Sequence, residues 1–549
     1  MGPPKTPATR RQIGEAFLSQ LRKHIAAREI ERGIARLQEN AELIVKCDLE
    51  DPYTARFVAH VSVWVDIGFD GLEELKDLLQ QFTPDRCSRL SLSDYLQIRM
   101  AAGMVAMREE AMEVAIGHFD FVLSLAQEMN DSFLLAIVNY WKGRCLRKRG
   151  EYGEALIFTC RGRDLALELG HQRMAAVMQV LESWLLFQQG KSKEAARISK
   201  DAETTLRDTE DYVTLGNIQS FYGRLARREG RFDKAIELFT IAIEQFRKRD
   251  SEHPNLARSL ANMALAKRGI ALQLQRRIDH DAQRHRKAPG KDDSKRSSRS
   301  DYRGRLLQLR KEALEHLAAA HAIYQRRPTV HGVGTLSLNA AYIHLDNSDF
   351  HTAEKQADSA FHLAEEKQDY ILMCRARVLQ CMIENAKVEE EISEGADPGR
   401  HARRALEFIQ SAVDLAKQTQ HELLLARAYL WQGLTHCNSF FDDSAAARQS
   451  YDLARASCKS SQPDSLWQEL QSLRARIQPK GSVNPTLKAW SQGAIGDKTF
   501  RQISEEFAEL VIPRVWERED RKVSRVAERL SISPKKVRRI LARAGKRKP

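Results

Sequence analysis

The 549-residue chain has few of the residues that interrupt helices and few aromatic residues. It contains 28 Gly and 15 Pro, and aromatic residues make up 7% of the sequence. This scarcity, with abundant Ala, Leu, Glu, Arg and Gln, is typical of all-α proteins. The eight cysteines are scattered without a CxxC pair. In a chain of this size we expect reduced thiols rather than a disulfide framework.

The sequence also lacks the marks of a membrane protein or an enzyme. No apolar run approaches the roughly 20 residues that a bilayer-spanning helix needs, and the first residues lack the apolar segment of a secretory signal. We therefore expect a soluble, cytoplasmic protein without membrane contact. There is no P-loop, HExxH or GxSxG motif, and the 16 histidines lack zinc-type partners. We expect no catalysis, no cofactor and no metal.

What the sequence does contain is a 40-residue repeat. Its marker alanines are Ala115, Ala155, Ala195, Ala235, Ala313, Ala353, Ala405 and Ala445. Two steps are longer, at 78 and 52 residues, which equal one repeat plus an insertion. A small residue lies twelve positions before most of these alanines, namely Gly103, Gly143, Ser183, Gly223, Ala341 and Gly433. Another often lies seven positions after, as at Ala202, Ala242, Ala320, Ala360 and Ala412.

Small residues at these offsets let paired antiparallel helices approach closely, and residues 12–477 resemble tetratricopeptide (TPR) repeats in this respect. The period exceeds the usual 34 residues of that family, so longer helices or links are expected. The resemblance implies an all-α fold, a right-handed TPR-like α-solenoid of nine to ten helical pairs. It also implies a protein or peptide partner bound in a groove.

The same resemblance selects groove residues, because positions just after the small residue usually face the groove. They are Arg144, Arg147 and Lys148 in one repeat, and Arg224, Arg227 and Arg228 in another. Such clusters can clamp a carboxylate or an acidic peptide, or they can be ordinary solvated helix faces. Elsewhere the positions are apolar, as at Met100, Met104, Met107, Trp184 and Phe187, where core packing is the commoner use.

Several segments fall outside the repeat. Residues 1–11 are predicted to be disordered, and residues 478–497 to form a linker. The insertion at 275–305 has 11 basic and 5 acidic residues and few apolar ones. It is predicted to be a mobile loop, either solvated or in contact with nucleic acid.

The last segment, residues 498–549, predicts a small helical domain. Val526, Ala527 and Leu530 share one helix face, and Val537, Ile540 and Leu541 share a face of the next helix. Ser533 is expected to cap that second helix, with Pro534 at its first position. From Arg514 onward the chain has 14 Lys and Arg against 4 Asp and Glu, which is most of its excess positive charge.

This segment resembles the Fis-type helix-turn-helix of bacterial regulators, with Ser531 at the turn position usually held by glycine. The resemblance implies binding to double-stranded DNA, and a homodimer formed through the preceding helix. The implied DNA contacts are Arg525, Ser533, Lys535, Lys536, Arg538, Arg539 and Arg543. A charged helical hairpin without a DNA role remains an alternative.

Two hypotheses of function follow. The first is a DNA-binding transcriptional regulator whose repeats bind a protein or peptide partner. The second is a TPR scaffold or adaptor for protein assembly, with a basic tail that contacts nucleic acid without sequence preference. A phosphatase-like regulator is a third, weaker possibility, because no acidic catalytic constellation supports it.

Overall fold

The computed structural model describes residues 13–129, 131–287, 294–327, 329–419, 421–458, 465–477, 490, 496–519 and 521–546. The predicted disorder of residues 1–11, and most of the predicted linker at 478–497, lie outside these residues. The chain divides into two compact units, residues 1–474 and 475–549. Among the described helices, none is long and apolar enough to cross a bilayer.

The described part of the chain is helical and has no strand. Its first helices are α1 Glu15–Ala27, α2 Ile30–Gln38, α3 Glu42–Val45, α4 Thr54–Ile67, α5 Leu72–Gln80, α6 Pro84–Cys87, α7 Leu92–Arg108, α8 Met112–Ser124 and α9 Ala126–Met129. The next are α10 Ser132–Arg149, α11 Tyr152–Glu168, α12 Gln172–Gln188, α13 Ser192–Leu206, α14 Tyr212–Arg228, α15 Phe232–Arg249, α16 Pro254–Lys287 and α17 Ser294–Arg326. Then follow α18 Val330–Asp346, α19 Phe350–Glu366, α20 Tyr370–Glu394, α21 Gly399–Lys417, α22 Glu422–His436, α23 Ser444–Ser457 and α24 Ser465–Ile477. The last three are α25 Phe500–Arg518, α26 Val523–Arg529 and α27 Pro534–Lys546.

The first unit is built from antiparallel helical pairs that pack side by side, from α7–α8 and α10–α11 through to α22–α23. Together with the shorter pairs α1–α2 and α4–α5 they match the predicted number of nine to ten. The predicted all-α, right-handed TPR-like α-solenoid is confirmed.

The two helices of each pair contact each other at the predicted small residues. Seven of the eight marker alanines are fully buried, and so are the five alanines seven positions later. A Cβ atom added to Gly143 on α10 would lie 3.0 Å from the carbonyl oxygen of Ala155 and 2.5 Å from Thr159 Oγ1 on α11. The helices therefore approach so closely that only a glycine fits at this crossing.

The eighth marker, Ala445, was wrongly assigned. Ala445 is exposed, whereas Ala447 is fully buried, and the backbone oxygen of Ala447 lies against Gly433. The turn after α22 is longer than in the other repeats, so the true repeat position is shifted by two residues.

The turn inside each pair confirms that shift. In the six pairs without an insertion, a residue with left-handed backbone lies five positions before the buried alanine, at Glu110, Gly150, Gly190, Gly230, Ser348 and Asp442. Glycine adopts this conformation without strain, and other residues tolerate it at a modest cost. The left-handed turn is thus shared by the repeats whose helices are joined by a short link, although glycine is present in only some of them.

The basic insertion is not the loop predicted from its composition. Its described residues continue α16 to Lys287 and start α17 at Ser294, so both helices of this repeat are extended. Ile278, Leu306 and Leu309 are buried between them, with Leu274 and Tyr302 alongside. These few apolar residues recur at helical spacing, which supplies a narrow core despite the charged composition.

The second unit contains α25, α26 and α27. Val526, Ala527, Val537 and Ile540 are buried against Ile512 of α25. Ser533 caps α27 as predicted, since its Oγ accepts a hydrogen bond from the Lys536 backbone N–H at 3.3 Å. Ser531 has a φ of 51°, the left-handed conformation expected at this turn. Helix α25 continues through Pro513 to Arg518.

The helix crossings provide a first test. Gly143→Ala should lower the stability of the chain by about 1–3 kcal/mol, because the methyl group overlaps backbone atoms that cannot retreat. Gly117→Ala is the matched control on α8, where an added Cβ meets nothing within 4 Å, and it should stabilise the helix by about 0.5–1 kcal/mol. Thermal unfolding of both variants measures the difference. Equal effects of the two substitutions would contradict the proposed crossing.

Candidate functional site

Successive turns of the superhelix meet at the start of α11. A Cβ atom at Gly150 would lie 2.9 Å from Ile371 Cδ1 on α20. The rings of Tyr152 and His421 are in contact, with centroids 4.9 Å apart. Residues more than 200 positions apart in sequence are therefore neighbours, and this contact brings the ends of α10 and α14 near the starts of α20 and α22.

Arginines without acidic partners gather around this contact. We call Arg147, Arg224, Arg227, Arg258 and Arg375 the arginine cluster. In the described part of the chain, none of the five has a carboxylate within ion-pair distance. They come from α10, α14, α16 and α20, so four different helices contribute to one concentration of positive charge.

Three of the six predicted groove residues belong to this cluster, and the other three have partners. Arg144 forms an ion pair with Asp66 at 2.5 Å, and Asp66 also accepts a hydrogen bond from the Trp141 indole. Lys148 lies 3.6 Å from Glu110. Arg228 donates to the Phe187 carbonyl at 2.9 Å and lies over the Phe187 ring. The sequence pattern did not separate paired cations from unpaired ones, and the assignment of these residues to a partner-binding groove stays a prediction.

Arg258 and Arg375 were missed by the sequence analysis. Groove positions were counted back from the marker alanines, and both insertions lie between the paired helices of their repeats. Counting back twelve from Ala313 or Ala405 gives positions 301 and 393, which are displaced by the insertions far from Arg258 and Arg375. Both residues lie within the first two turns of their helices, whereas Arg147, Arg224 and Arg227 lie in the last two turns of theirs, so the same count from the helix starts does not find them either.

Burial and the repulsion between neighbouring arginines both lower pKa values in the arginine cluster. Burial, with repulsion from Arg258 and Arg227, lowers the pKa of Arg224 to about 9. Burial also lowers the pKa of Arg147 to about 10, again with repulsion from Arg258. The pKa of Arg227 is lowered to about 10 by burial and by Arg375 and Arg427 across the turn contact. The cluster thus holds positive charge in an unfavourable environment, which a bound anion would relieve.

Aromatic rings pack against Arg147, one of the five arginines of the cluster. The Arg147 Cζ atom lies 5.0 Å from the centroid of the Trp184 ring. The rings of Tyr152 and Trp184 pack in a T-shaped arrangement, with centroids 5.5 Å apart. Burial lowers the pKa of His421 to about 3, so its imidazole is neutral at pH 7. Within the described residues, Arg147 Nε and His421 Nδ1 are buried without a hydrogen-bond partner. The region therefore offers unused polar atoms beside its charge.

The apolar groove candidates behave differently. Met100, Met104 and Met107 are buried in the core of the solenoid. Phe187 is buried beneath Arg228, and Trp184 is partly buried beneath Arg147. These side chains support the arginines and the core, and they form no open apolar groove.

In the second unit, all seven predicted DNA contacts are exposed, namely Arg525, Ser533, Lys535, Lys536, Arg538, Arg539 and Arg543. Arg543 also lies 3.3 Å from Glu505 on α25. Lys535, Lys536, Arg538 and Arg539 follow one another at the N-terminal end of α27, opposite its buried face. Their assignment to DNA stays a prediction.

Comparison with known proteins returns distant structural neighbours. No protein-family model matches the chain, and a search of curated proteins finds no relative. Similar solved structures include a Rap protein complexed with competence and sporulation factor, with 14% identity, a TM-score of 0.46, and coverage of 73% of this chain and 98% of that one. The repeat unit is a TPR-like α-solenoid.

Two other structures resemble the solenoid. Apo NprR, a quorum sensor from B. thuringiensis, has 14% identity and a TM-score of 0.40, with 64% of this chain and 98% of that chain covered. A human IFIT1 dimer with m7Gppp-AAAA has 14% identity and a TM-score of 0.45, with 85% and 95% covered. At this level the likeness concerns the fold alone.

The two kinds of arginine in the solenoid should respond oppositely to neutralisation. Arg224→Gln should leave the melting temperature of the ligand-free protein unchanged or raise it, because it removes an unpaired cation from like charges. Arg144→Gln, two repeats earlier, should destabilise by about 1–3 kcal/mol because it leaves Asp66 buried without its cationic partner. Thermal unfolding at pH 7 compares the two. A larger drop in melting temperature for Arg224→Gln than for Arg144→Gln would contradict this prediction and show that the arginine cluster stabilises the fold.

Proposed function

We propose that the chain is a cytoplasmic DNA-binding transcriptional regulator whose solenoid binds an acidic protein or peptide partner. The role is one of binding, without a catalytic step. The observation that carries the solenoid half is the arginine cluster, in which five cations from four helices face one another without a carboxylate. Functional sites commonly retain such unfavourable charge because the ligand compensates it.

An acidic peptide fits the cluster by its chemistry. Guanidinium groups bind carboxylates through paired, charge-assisted hydrogen bonds, and these are strengthened where water is partly excluded. Arg147 is preoriented by the Trp184 ring, so this side chain loses little freedom on binding.

The DNA half rests on the second unit. There, α26 and α27 pack through Ala527, Val526 and Val537, and the N-terminal half of α27 presents four exposed cations. An α-helix of this kind fits the DNA major groove, where arginine reads guanine. We propose that Lys535, Arg538 and Arg539 contact bases, and that Ser533, Lys536, Arg525 and Arg543 contact phosphates.

We also propose that the chain forms a homodimer through α25. Phe500 and Phe507 on this helix have exposed fractions of 84% and 49%. Two large apolar side chains two turns apart form a surface that a second copy of α25 can cover. A dimer would place two copies of α27 on a palindromic site.

The solenoid half predicts charge-dependent peptide binding. A panel of fluorescent octapeptides with zero to four Glu should bind the full chain with affinity that rises with Glu content and falls with salt. Arg224→Gln/Arg227→Gln should weaken binding at least about tenfold, which corresponds to about 1.4 kcal/mol. Fluorescence anisotropy measures this. Arg197→Gln/Lys200→Gln on the exposed face of α13 removes the same charge and is the control. Equal binding of neutral peptides would contradict the assignment.

The DNA half predicts sequence-specific binding. Selection from a random duplex library with the full chain should enrich one palindromic sequence. Arg538→Ala/Arg539→Ala should remove that preference, since each base contact is worth about 1–3 kcal/mol of discrimination. Arg197→Ala/Lys200→Ala should retain it. If the unmodified chain selects no sequence and loses all affinity at moderate salt, the adaptor role with a nonspecific tail is favoured instead.

A further inference from the structure

The first helix of the chain packs against helices that come much later in the sequence. Leu18, Leu21 and Ile25 of α1 are buried, and α1 contacts α12 as well as α2 and α4. After α1 the backbone turns at Arg28, whose φ is 57°, and continues into α2. The segment around this turn makes polar contacts with four successive repeats. We call residues 22–31 the strap.

The strap meets the repeats in the order in which they occur in the chain. Its contacts are, from first to last, Arg22 with Asp131, the Ala27 carbonyl with Arg173, Arg28 with Asp211, and Glu31 with Arg249. The shortest N···O distances are 3.3, 3.0, 2.6 and 3.0 Å in that order. The four partner positions are 42, 38 and 38 residues apart, close to one 40-residue repeat each. Each contact therefore reaches the next repeat along the solenoid.

All four partner residues lie at the same edge of the solenoid. Asp131 and Asp211 are the N-cap residues of α10 and α14, and Arg173 lies in the first turn of α12. Arg249 is the last residue of α15. Because the helices of a pair are antiparallel, the start of the first helix and the end of the second share an edge. One short segment thus holds the edges of successive repeats together.

The contact between Arg28 and Asp211 is the most buried of the three ion pairs of the strap. The two side chains are 8% and 3% exposed. One carboxylate oxygen of Asp211 caps α14 by accepting the Thr214 backbone N–H at 3.0 Å, and the other binds the Arg28 guanidinium. Separation of α1 from α14 would leave both charges buried without a partner, so this contact resists separation.

Aromatic packing supports the first contact. The Arg22 Cζ atom lies 4.5 Å from the centroid of the Phe133 ring at the start of α10. The Phe133 ring packs in turn against His171, the N-cap residue of α12, with centroids 5.6 Å apart. The starts of α10 and α12 are therefore joined to each other as well as to the strap.

The far end of α10 takes part in the contact between superhelical turns. The helix has 18 residues and leads from Asp131 at the strap to Gly150, which meets Ile371 on α20. Ile371 packs against the core of the early repeats and also against the core of α18–α22. The two ends of a helix of this length are about 27 Å apart, so a small tilt at the strap displaces the other end.

We propose that the strap sets the curvature of the solenoid from α10 to α15, and that this curvature keeps the contact of Gly150 with Ile371 closed. Release of the strap lets these repeats change their relative tilt and separates the two superhelical turns. The helical pairs stay folded, because each pair has its own contact between helices, as at Gly143. This inference concerns conformation and does not depend on the ligand of the solenoid.

The test is hydrogen–deuterium exchange of the full chain with Arg28→Gln/Asp211→Asn. Both charges are removed together, and asparagine still caps α14. The reporters are four amides that donate to the carbonyl of their helix's N-cap residue, two at the strap and two at the contact between turns. They are Leu135, Leu215, Met373 and Leu425. All four should exchange at least about tenfold faster, while circular dichroism shows unchanged helix content.

The control is Arg197→Gln/Asp201→Asn, which removes the same two charges from an exposed ion pair on α13. It should leave all four amides unchanged. Glu31→Gln/Arg249→Gln breaks the last contact of the strap and is the second test variant. It should accelerate the same amides by a smaller factor, because Glu31 is 43% exposed and its ion pair is therefore weaker.

Three outcomes would overturn the inference. Faster exchange confined to Leu135 and Leu215 would show that the strap acts only locally. An equal acceleration at Ala353 on α19 and Ala447 on α23 would show that the strap stabilises the whole solenoid without setting its curvature. Unchanged exchange at Leu215 in both test variants would show that the ion pairs do not hold the strap in place.

Discussion

The solenoid depends on close packing of paired helices over small residues. At Gly143 the backbone of one helix lies directly against its partner and no larger side chain fits, and seven of the eight marker alanines are fully buried in the same kind of helix pair. This spacing fixes how each pair is oriented and so how successive pairs stack. The meeting of superhelical turns at Tyr152 and His421 is a consequence of that stacking, and the arginine cluster exists only because those turns meet.

Local regularity made much of the fold predictable from sequence. The 40-residue alanine spacing, with small residues at fixed offsets, identified the paired helices and the all-α solenoid. Counting failed where a turn changed length, as at Ala445, because spacing alone cannot show whether extra residues enlarge a turn or a helix. Composition failed for the basic insertion, because a few apolar residues at helical spacing, such as Ile278 and Leu306, suffice to hold two helices together.

The candidate site was predictable only in part, for a different reason. Arg147, Arg224 and Arg227 follow from their positions on first helices. Whether a cation has a partner depends on residues far away in sequence: Asp66 neutralises Arg144 from a distance of 78 positions, and nothing local to either residue indicates this. The repulsion between Arg227 and Arg375 acts across the contact between superhelical turns, and a single sequence does not reveal that contact.

The extended pair α16–α17 has a consequence for how such arrays change. Its additional turns carry a small core of their own, separate from the cluster that joins this pair to α15 and α18. Material added between two paired helices therefore projects sideways and leaves the stacking contacts unaltered. The length of the helices in one repeat is therefore independent of the number of repeats. One helical pair can be extended while the other repeats keep their packing contacts.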